Sequence, residues 1–577
     1  MTLFAKARHI FPRNVKIKFV LLLIGIVVGA QIETLTLSVI QPFIIIITDP
    51  SIVYTNRILY FVYSLFGFRG YVPFLAFLAV VIAAVYTFRG FYVYFFARIQ
   101  NRFLATNTAV MSSKLMTQTL KQPYLYHVNN NAVGLQRVVS RNAERLFGMV
   151  NNILLLLIDG FMSLFMLVFL MITSFSMTLV VLFFAFVCVF IYFKYFKGRI
   201  QTSGDDEARG MVMINKSVLQ ALYGIKEIKI SRKEAYFTNK FKSASVNTIK
   251  VREQVQSLRQ LPRLFIESLC FSGAFLVVAG VILAGIDMET LIPQLGVFML
   301  AAFKLLPAIS RIVNSITMIM RQSSSINQVY SGLFEHDETL DPLAIDELEA
   351  IEPTVASRDI IISNLTFMYP KMRKPVLRNI SLTIPHNKSI GIIGSSGSGK
   401  TTLVDIILGL LAPQQGCVVY NGKSVHHHFA AWAKNIGYIP QVIYLLDETI
   451  LENVAFGVDK KDIDEEKVWY ALEQAQLKEV VQSLPDGLQT QVGERGVRLS
   501  GGQRQRIGIA RALYDNPEIL VLDEATAALD NETESAVMEA IQGLKGDKTI
   551  IIIAHRLSTI KNCDIVYRVK RRRVKQV

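Results

Sequence analysis

The sequence predicts a membrane protein in which a six-helix transmembrane domain is followed by an α/β domain. Of its 577 residues, 52% are hydrophobic and 18% are charged, whereas soluble domains carry about 25% charged residues. Apolar runs long enough to cross a bilayer end near Ser323, and the chain after Glu352 has the composition of a soluble α/β domain. This distribution excludes both an ordinary soluble enzyme and a disordered scaffold.

Six apolar runs in the first half are the predicted spans. A transmembrane helix needs about 20 apolar residues, and five of the runs reach that length. The fourth is shorter, but it follows the third so closely that we interpret the two as a helical hairpin. The predicted spans are residues 19–47, 71–96, 147–173, 178–193, 261–286 and 291–313.

Lysine and arginine set the expected orientation. They concentrate before the first span, after the second and between the fourth and fifth, whereas the connections 48–70, 174–177 and 287–290 hold only Arg57 and Arg69. Basic loops stay in the cytoplasm, so both termini should be cytoplasmic in a multi-pass protein of the inner (plasma) membrane. The net charge of +16 then reflects topology, and no nucleic-acid partner is expected.

Three regions are predicted. They are a transmembrane domain with long cytoplasmic extensions (1–325), an acidic linker (326–357) and a nucleotide-binding domain (358–577). Within the last, the tract His426–His428 is interpreted as a surface loop, because three adjacent histidines cannot all face one metal.

The nucleotide-binding prediction rests first on the segment SIGIIGSSGSGKTT, which begins at Ser389. An apolar strand leads into G-x-x-x-x-G-K-T, and an apolar helix follows. In this arrangement glycine amides surround phosphates, the lysine neutralises them and the threonine hydroxyl binds Mg²⁺. ATP and Mg²⁺ are therefore the expected cofactors. The residues expected to bind them here are Gly394, Ser395, Ser396, Gly397, Ser398, Gly399, Lys400, Thr401 and Thr402.

A second apolar strand, residues 519–522, ends in Asp523 and Glu524. Ligands bind at the carboxyl ends of parallel strands, so Asp523 is suited to the Mg²⁺ shell and Glu524 to polarising the attacking water. An exposed Asp-Glu turn is the alternative. The phosphate loop upstream makes the catalytic interpretation the stronger one.

The segment Leu499–Gln503, LSGGQ, resembles the signature motif of ABC transporter ATPases. The resemblance implies that Tyr369 stacks on adenine, that Gln441 joins Mg²⁺ to the membrane domain, and that His555 contacts the γ-phosphate as a third catalytic residue beside Glu524 and Lys400. It also implies that Gly493–Gly496 is an exporter-specific segment and that residues 527–530 form a dimer contact. The signature residues expected at the nucleotide are Ser500, Gly501, Gly502 and Gln503.

In this family each ATP lies between the phosphate loop of one subunit and the signature motif of the other. The chain carries one complete set of motifs and no degenerate one. A homodimer with two competent sites is therefore expected.

Four cations within the predicted spans are candidate substrate contacts: Arg89, Arg263, Lys304 and Arg311. All four fall toward the cytoplasmic end of their spans, where they would suit an anionic headgroup such as a pyrophosphate. Two alternatives remain open. The long side chains could snorkel to the interface, or they could pair with Glu33, Asp159 and Glu267.

The membrane half also resembles bacterial PglK-type lipid-linked oligosaccharide flippases, through Ile32–Thr34, Gln41–Ile44 and Leu261–Arg263 with Glu267. The resemblance implies an external helix within residues 54–66 that engages a polyprenyl tail, and coupling elements at 123–131 and 224–241. Lys304 departs from it, since arginine is usual there. We expect an ATP-driven flippase for a lipid-linked glycan within the bilayer. The alternatives are a multidrug or lipid A exporter of the same fold, and an ATP-gated channel or non-transporting regulator.

Overall fold

A computed structural model describes residues 3–48, 50–130, 132–173, 209–283, 307–334, 358–370, 372–524, 531–554 and 560–577, with a few single positions between these ranges. The chain divides into two compact units. Unit 1 contains Met1–Gln122 and Asn130–Glu335, and unit 2 contains Pro123–Asn129 and His336–Val577.

The secondary structure of unit 1 is helical in its described residues, with short turns between the helices. The short helix Arg57–Leu65 begins at Asn56, whose side chain accepts hydrogen bonds from the amides of Ile58 and Leu59, as an N-cap residue does. Further helical residues are 209–223 and 307–322. The other helices are Leu3–Ile10, Arg13–Thr48, Ile52–Thr55, Tyr71–Lys121, Ala132–Gln136, Asn142–Thr173, Ile225–Ser231, Glu234–Leu283 and Ser324–Phe334, with a π-helical turn at Arg137–Arg141.

Three helices in the described part of unit 1 are long and apolar enough to cross a membrane: Arg13–Ile47, Tyr71–Lys121 and Gly134–Ile172. They contain the first three predicted spans, and the second continues well beyond its apolar run. The fifth predicted span lies on the helix Glu234–Leu283 up to its last residue. Most of the fourth span, and the sixth before residue 305, lie outside the described residues.

Unit 2 contains two sheets. The strands are β1 (Ile360–Phe367), β2 (Leu377–Ile384), β3 (Ser389–Ile393), β4 (Gln415–Tyr420), β5 (Lys423–Ser424), β6 (Ile436–Ile439), β7 (Ile519–Asp523), β8 (Thr549–Ile553), β9 (Ile565–Lys570) and β10 (Arg573–Gln576). One sheet is antiparallel, in the order β2-β1-β4-β5. The other has the order β10-β9-β3-β8-β7-β6 and is parallel from β9 to β6.

Helices cover the parallel sheet, as its apolar strands require. Short 3₁₀ turns lie at Lys460–Asp462, Gly487–Gln489 and Glu494–Gly496. The α-helices of unit 2 are Tyr124–Asn129, Lys400–Ile407, Phe429–Ala433, Ile450–Val454, Glu465–Gln474, Lys478–Gln482, Gly501–Leu513 and Asn531–Gln542.

Alternation along the central strands divides the core of unit 2 into two layers. Leu520 and Leu522 of β7 pack with the helix Gly501–Leu513. Ile519 and Val521, on the other face of the same strand, pack with the helix Lys400–Ile407. Since successive side chains of a strand point to opposite faces, the two helices lie on opposite faces of the parallel sheet.

The predicted surface loop at the histidine tract is correct for two of its three residues. His427 and His428 are exposed. His426 is buried, with Nε2 2.9 Å from the carbonyl oxygen of Leu411. Burial lowers the pKa of His426, so the ring is held in its neutral form.

Candidate functional site

The phosphate loop joins β3 to the helix Lys400–Ile407, as the sequence predicts. Gly397 and Gly399 have φ values of 72° and 102°, a region that favours glycine. A Cβ on Gly394 would lie 2.5 Å from the carbonyl oxygen of Val569. The loop therefore depends on glycine for its shape, and its amides lie at a helix N-terminus, where phosphates bind.

Lys400 and Ser398 have polar groups in the loop that could bind a ligand. Lys400 is buried, and its Nζ donates to the carbonyl oxygens of Gly394 and Ser395, at 3.0 and 3.3 Å. Ser398 Oγ is buried without a hydrogen-bond partner among the described residues. An orphaned hydroxyl and an ammonium group within a ring of backbone amides fit a bound phosphate.

Asp523 and Glu524 lie at the carboxyl end of β7, beside the ends of β6 and β8. Asp523 is buried. Glu524 has a φ of 47°, and its amide donates to the carbonyl oxygen of Ile553 at 3.1 Å. Gln441, which follows β6, donates from Nε2 to Glu524 Oε2 at 2.8 Å. The structure thus brings Gln441 and Glu524 together, although they are 83 residues apart in the chain.

Asp405 is a site residue that the sequence reasoning missed. It lies four residues after Thr401, on the same face of the phosphate-loop helix, and it is buried. Burial raises the pKa of its carboxyl to about 6, and neighbouring Asp523 adds to the shift. Asp405 and Asp523 thus lie near each other, and carboxylate oxygens are ligands that suit a hard divalent cation such as Mg²⁺.

Tyr369 follows β1, where its ring packs edge-on against Phe367 with centroids 5.0 Å apart. Its hydroxyl lies 3.2 Å from Thr402 Oγ1. The structure therefore brings the residue expected at the adenine next to the phosphate-loop helix.

The signature residues begin a helix on the other face of the sheet. Ser500 is the N-cap of Gly501–Leu513. Its hydroxyl accepts from the amide of Gln503 at 3.1 Å, and Gln503 Oε1 accepts from the amide of Ser500 at 2.9 Å, which forms a capping box. Ser500 is exposed, so its hydroxyl proton and the first helix amides can meet an anion from outside.

Arg511 fastens this helix to the segment that follows Gln441. Its guanidinium donates to the carbonyl oxygens of Asn453 and Tyr444, both at 2.8 Å, and to Asn453 Oδ1 at 2.9 Å. Its centre lies 4.5 Å from the ring centroid of Phe456. Burial lowers the pKa of Arg511 to about 10, which leaves it charged at neutral pH.

His555 and residues 525–530 lie outside the described residues.

Comparison with known proteins identifies the family to which the chain belongs. Residues 377–527 match the ABC transporter family model, and residues 19–300 match that of the ABC transporter transmembrane region. An ATP-dependent lipid A-core flippase of Cupriavidus metallidurans is 30% identical over 80% of this chain and 77% of its own. The chain belongs to the ABC transporter family.

Other relatives support the assignment to exporters. A probable multidrug resistance ABC transporter ATP-binding/permease protein, YheI of Bacillus subtilis, is 31% identical over 61% of this chain and 59% of its own. A solved structure of a bacterial Atm1-family ABC exporter with ATP bound matches with a TM-score of 0.71 at 21% identity, covering 98% of this chain and 96% of that one. The protein is an ABC half-transporter of the exporter type, in which ATP hydrolysis is coupled to translocation.

One of the two expected coupling elements belongs to unit 2, which contains the nucleotide-binding motifs. The helix Tyr124–Asn129 belongs to unit 2, and Leu125 packs against the core layer that contains the phosphate-loop helix. Burial, with Asp405, Tyr369 and Asp523 as further causes, raises the pKa of Tyr124. Residues 224–241, the other expected element, belong to unit 1.

Two of the four candidate cavity cations of the transporter are in ion pairs. Arg89 donates to Glu33. Arg311 contacts Asp159 through two nitrogens, with Nη2 2.7 Å from Oδ1, and its side chain remains 52% exposed. Lys304 and the side chain of Arg263 lie outside the described residues. The carboxylate pairing that the sequence left open is therefore present for Glu33 and Asp159.

The segment expected to be external contains the helix Arg57–Leu65, which lies within the range 54–66. Leu59, Val62 and Tyr63 pack against an apolar cluster that includes Ile46 and Phe74. Ile58, Phe61 and Leu65 are 74%, 63% and 65% exposed. Because these three are spaced i, i+3 and i+7, they form one uncovered apolar face.

Proposed function

We propose that the transporter is a homodimeric flippase that moves a lipid-linked oligosaccharide, a glycan on a polyprenyl pyrophosphate or an O-antigen-type precursor, from the cytoplasmic to the outer leaflet. Such a substrate combines a long apolar chain, an anionic phosphate group and a polar glycan. A protein that moves it needs an apolar contact for the chain and cations for the phosphates.

The uncovered face of the helix Arg57–Leu65 is the observation that carries the proposal. Exposed apolar residues on a soluble surface are costly when they are contiguous, and here Ile58, Phe61 and Leu65 lie together on a loop between the first two spans. A polyprenyl chain at the outer leaflet would cover them. Small or purely polar substrates would leave them bare.

Arg311 supplies the complementary charge. Asp159 holds its Nε and Nη2, and Nη1 makes no hydrogen bond within the described part of the chain. A guanidinium fixed on one side and open on the other can bind a phosphate oxygen with little loss of side-chain entropy. We include Arg89, Arg263 and Lys304 in the same belt of cations.

The homodimer is supported by the position of the two phosphate-binding helices. In unit 2 they lie on opposite faces of the parallel sheet, so the phosphate loop and Ser500 of one chain do not converge on one nucleotide. A second copy would bring its own Ser500 to the phosphate loop. Residues 224–241, which group with unit 1, would then dock on the partner subunit.

At each shared site we propose that Thr401, Asp523 and Gln441 hold Mg²⁺, which would screen the phosphate charge when bound. Lys400 and the loop amides bind the phosphates, Glu524 accepts a proton from the attacking water, and His555 contacts the γ-phosphate. The hydrogen bond between Gln441 and Glu524 would then connect a proposed Mg²⁺ ligand, Gln441, with the proposed general base, Glu524.

The proposal is tested by measuring substrate flipping and the stimulation of ATPase activity in proteoliposomes. The probe is a fluorescent polyprenyl-pyrophosphate glycan, compared with lipid A and with a cationic drug. Replacing Ile58, Phe61 and Leu65 together by Ser should reduce flipping of the polyprenyl substrate at least tenfold. Tyr60→Ser is the matched control, because Tyr60 is also exposed on this helix but lies on another face.

A phosphorylated glycolipid of the lipid A type is the second candidate, since several relatives are lipid A-core flippases. Stimulation by lipid A and not by the polyprenyl glycan would favour it. Stimulation by the drug alone would support a multidrug exporter and refute the proposal.

A further inference from the structure

The membrane unit contains an apolar pocket that none of the proposed transport steps uses. It has a volume of about 520 Å³ and lies between five helical segments of unit 1: the start of Arg13–Thr48, Tyr71–Lys121, Asn142–Thr173, residues 307–322 and Ser324–Phe334. Ligand sites span roughly 300–1,000 Å³. It is lined by Phe11, Val15, Lys16, Phe19, Val20, Phe103, Phe147, Met149, Val150, Ile153, Ile319, Ser323 and Ile326.

The described walls of the pocket are almost entirely hydrocarbon. Phe103, Phe147 and Val150 are buried, and the rings of Phe11 and Phe147 pack edge-on with centroids 5.8 Å apart. Val20, which also lines the pocket, is 53% exposed, so the pocket reaches the surface of the described chain at this residue. Such a lining offers nothing to a polar ligand except near Lys16 and Ser323.

Lys16 is the single charged residue among the described residues that line the pocket. Lys16 is exposed and makes no ion pair among the residues that the structure describes. Three residues further on, the first apolar run begins at Phe19. The pocket thus lies where a basic helix start gives way to the membrane-spanning sequence, which is the level of lipid headgroups.

We propose that this pocket binds an anionic phospholipid of the cytoplasmic leaflet, with an acyl chain against the phenylalanines and the phosphate at Lys16. The pocket and such a lipid agree in their distribution of apolar surface as well as in opposite charge. A phospholipid is apolar except at its anionic headgroup, and the described lining of the pocket is apolar except at Lys16 and Ser323. This lipid is a resident ligand of each subunit and not the transported substrate.

The proposal is tested with the full-length protein, purified and reconstituted in nanodiscs of phosphatidylcholine containing labelled phosphatidylglycerol. Native mass spectrometry counts bound lipid per chain, and titration gives the preference for phosphatidylglycerol. Ile153→Trp, which fills the pocket, should lower phosphatidylglycerol binding at least tenfold. The matched control is Leu21→Trp, because Leu21 is exposed on a helix that lines the pocket but does not line it itself.

Lys16 provides a second, milder test that does not depend on the fold tolerating a tryptophan. Lys16→Gln should reduce the preference for phosphatidylglycerol over phosphatidylcholine about fivefold, and Lys16→Arg should keep it. Equal phosphatidylglycerol binding by the wild type and Ile153→Trp would overturn the proposal. So would an unchanged preference in Lys16→Gln, or a cross-link from position 153 to the partner subunit's helices.

Discussion

Replacing Glu524 by Gln should separate nucleotide binding from hydrolysis. The change keeps the size of the side chain, and an amide oxygen can still accept the hydrogen bond that Gln441 donates at 2.8 Å. The backbone bond to Ile553 is untouched. What is lost is the basicity of the carboxylate. Loss of a positioned general base costs about 10²–10⁴-fold in rate, or roughly 3–5 kcal/mol, so turnover should fall by that factor.

The assay is steady-state ATP hydrolysis by the purified transporter, with nucleotide affinity measured on the same preparation. Glu524→Gln should bind ATP normally and arrest with the dimer closed, whereas Lys400→Ala should weaken binding itself, because Lys400 meets phosphate charge already present before reaction. Glu518→Gln is the control. It makes the same chemical change just before β7 begins, where Glu518 accepts from Tyr420, and it should hydrolyse ATP normally. Ordinary turnover by Glu524→Gln would remove Glu524 from catalysis.

Three further results are expected. Burial lowers the pKa of His426, so the stability that its neutral ring contributes is present above pH 6.5 and is lost as the unfolded state takes up a proton below that pH. In thermal melts from pH 5 to 8, His426→Gln should therefore reduce the fall of the melting temperature at acidic pH. The matched variant His427→Gln, at an exposed position, should not. Arg511→Ala leaves the carbonyl oxygens of Asn453 and Tyr444 without their donor, which should lower the free energy of unfolding in denaturant by about 2–4 kcal/mol. Arg511→Lys should lower it less. Equal decreases for the two variants would argue against the hydrogen bonds as the cause. Arg89→Gln combined with Lys304→Gln should abolish glycan flipping while basal ATPase activity persists, and flipping at the wild-type rate would exclude the belt of cations.

Local sequence patterns were sufficient to predict most of the nucleotide-binding architecture. The strand, glycine loop and helix around Lys400 depend on residues within a few positions of one another, and β7 ends at Asp523, next to Glu524, as its apolar run indicates. These features follow from backbone preference and alternation, so the chain specifies them without reference to distant residues.

Contacts between distant residues were not predictable in the same way. Asp405 looks like a solvated position in a helix, and its burial beside Asp523 depends on the packing of β7 against that helix. The pairing of Arg311 with Asp159 joins residues 152 positions apart, and sequence alone could offer it only as one alternative to a free cation. His426 lies in a tract typical of a surface loop, and its burial goes with a contact to the carbonyl oxygen of Leu411, 15 residues earlier in the chain.

The two-sided placement of the phosphate loop and the signature helix has a genetic consequence. If each nucleotide is shared between chains, Lys400→Ala damages the site formed with a chain's own loop, and a bulky replacement of Ser500 damages the site formed with its neighbour's loop. Each variant alone would produce dimers with two damaged sites. Coexpressed, they would also produce mixed dimers in which both lesions fall in one site and the other site is intact. If one intact site sustains transport, two inactive alleles would therefore complement each other in one cell.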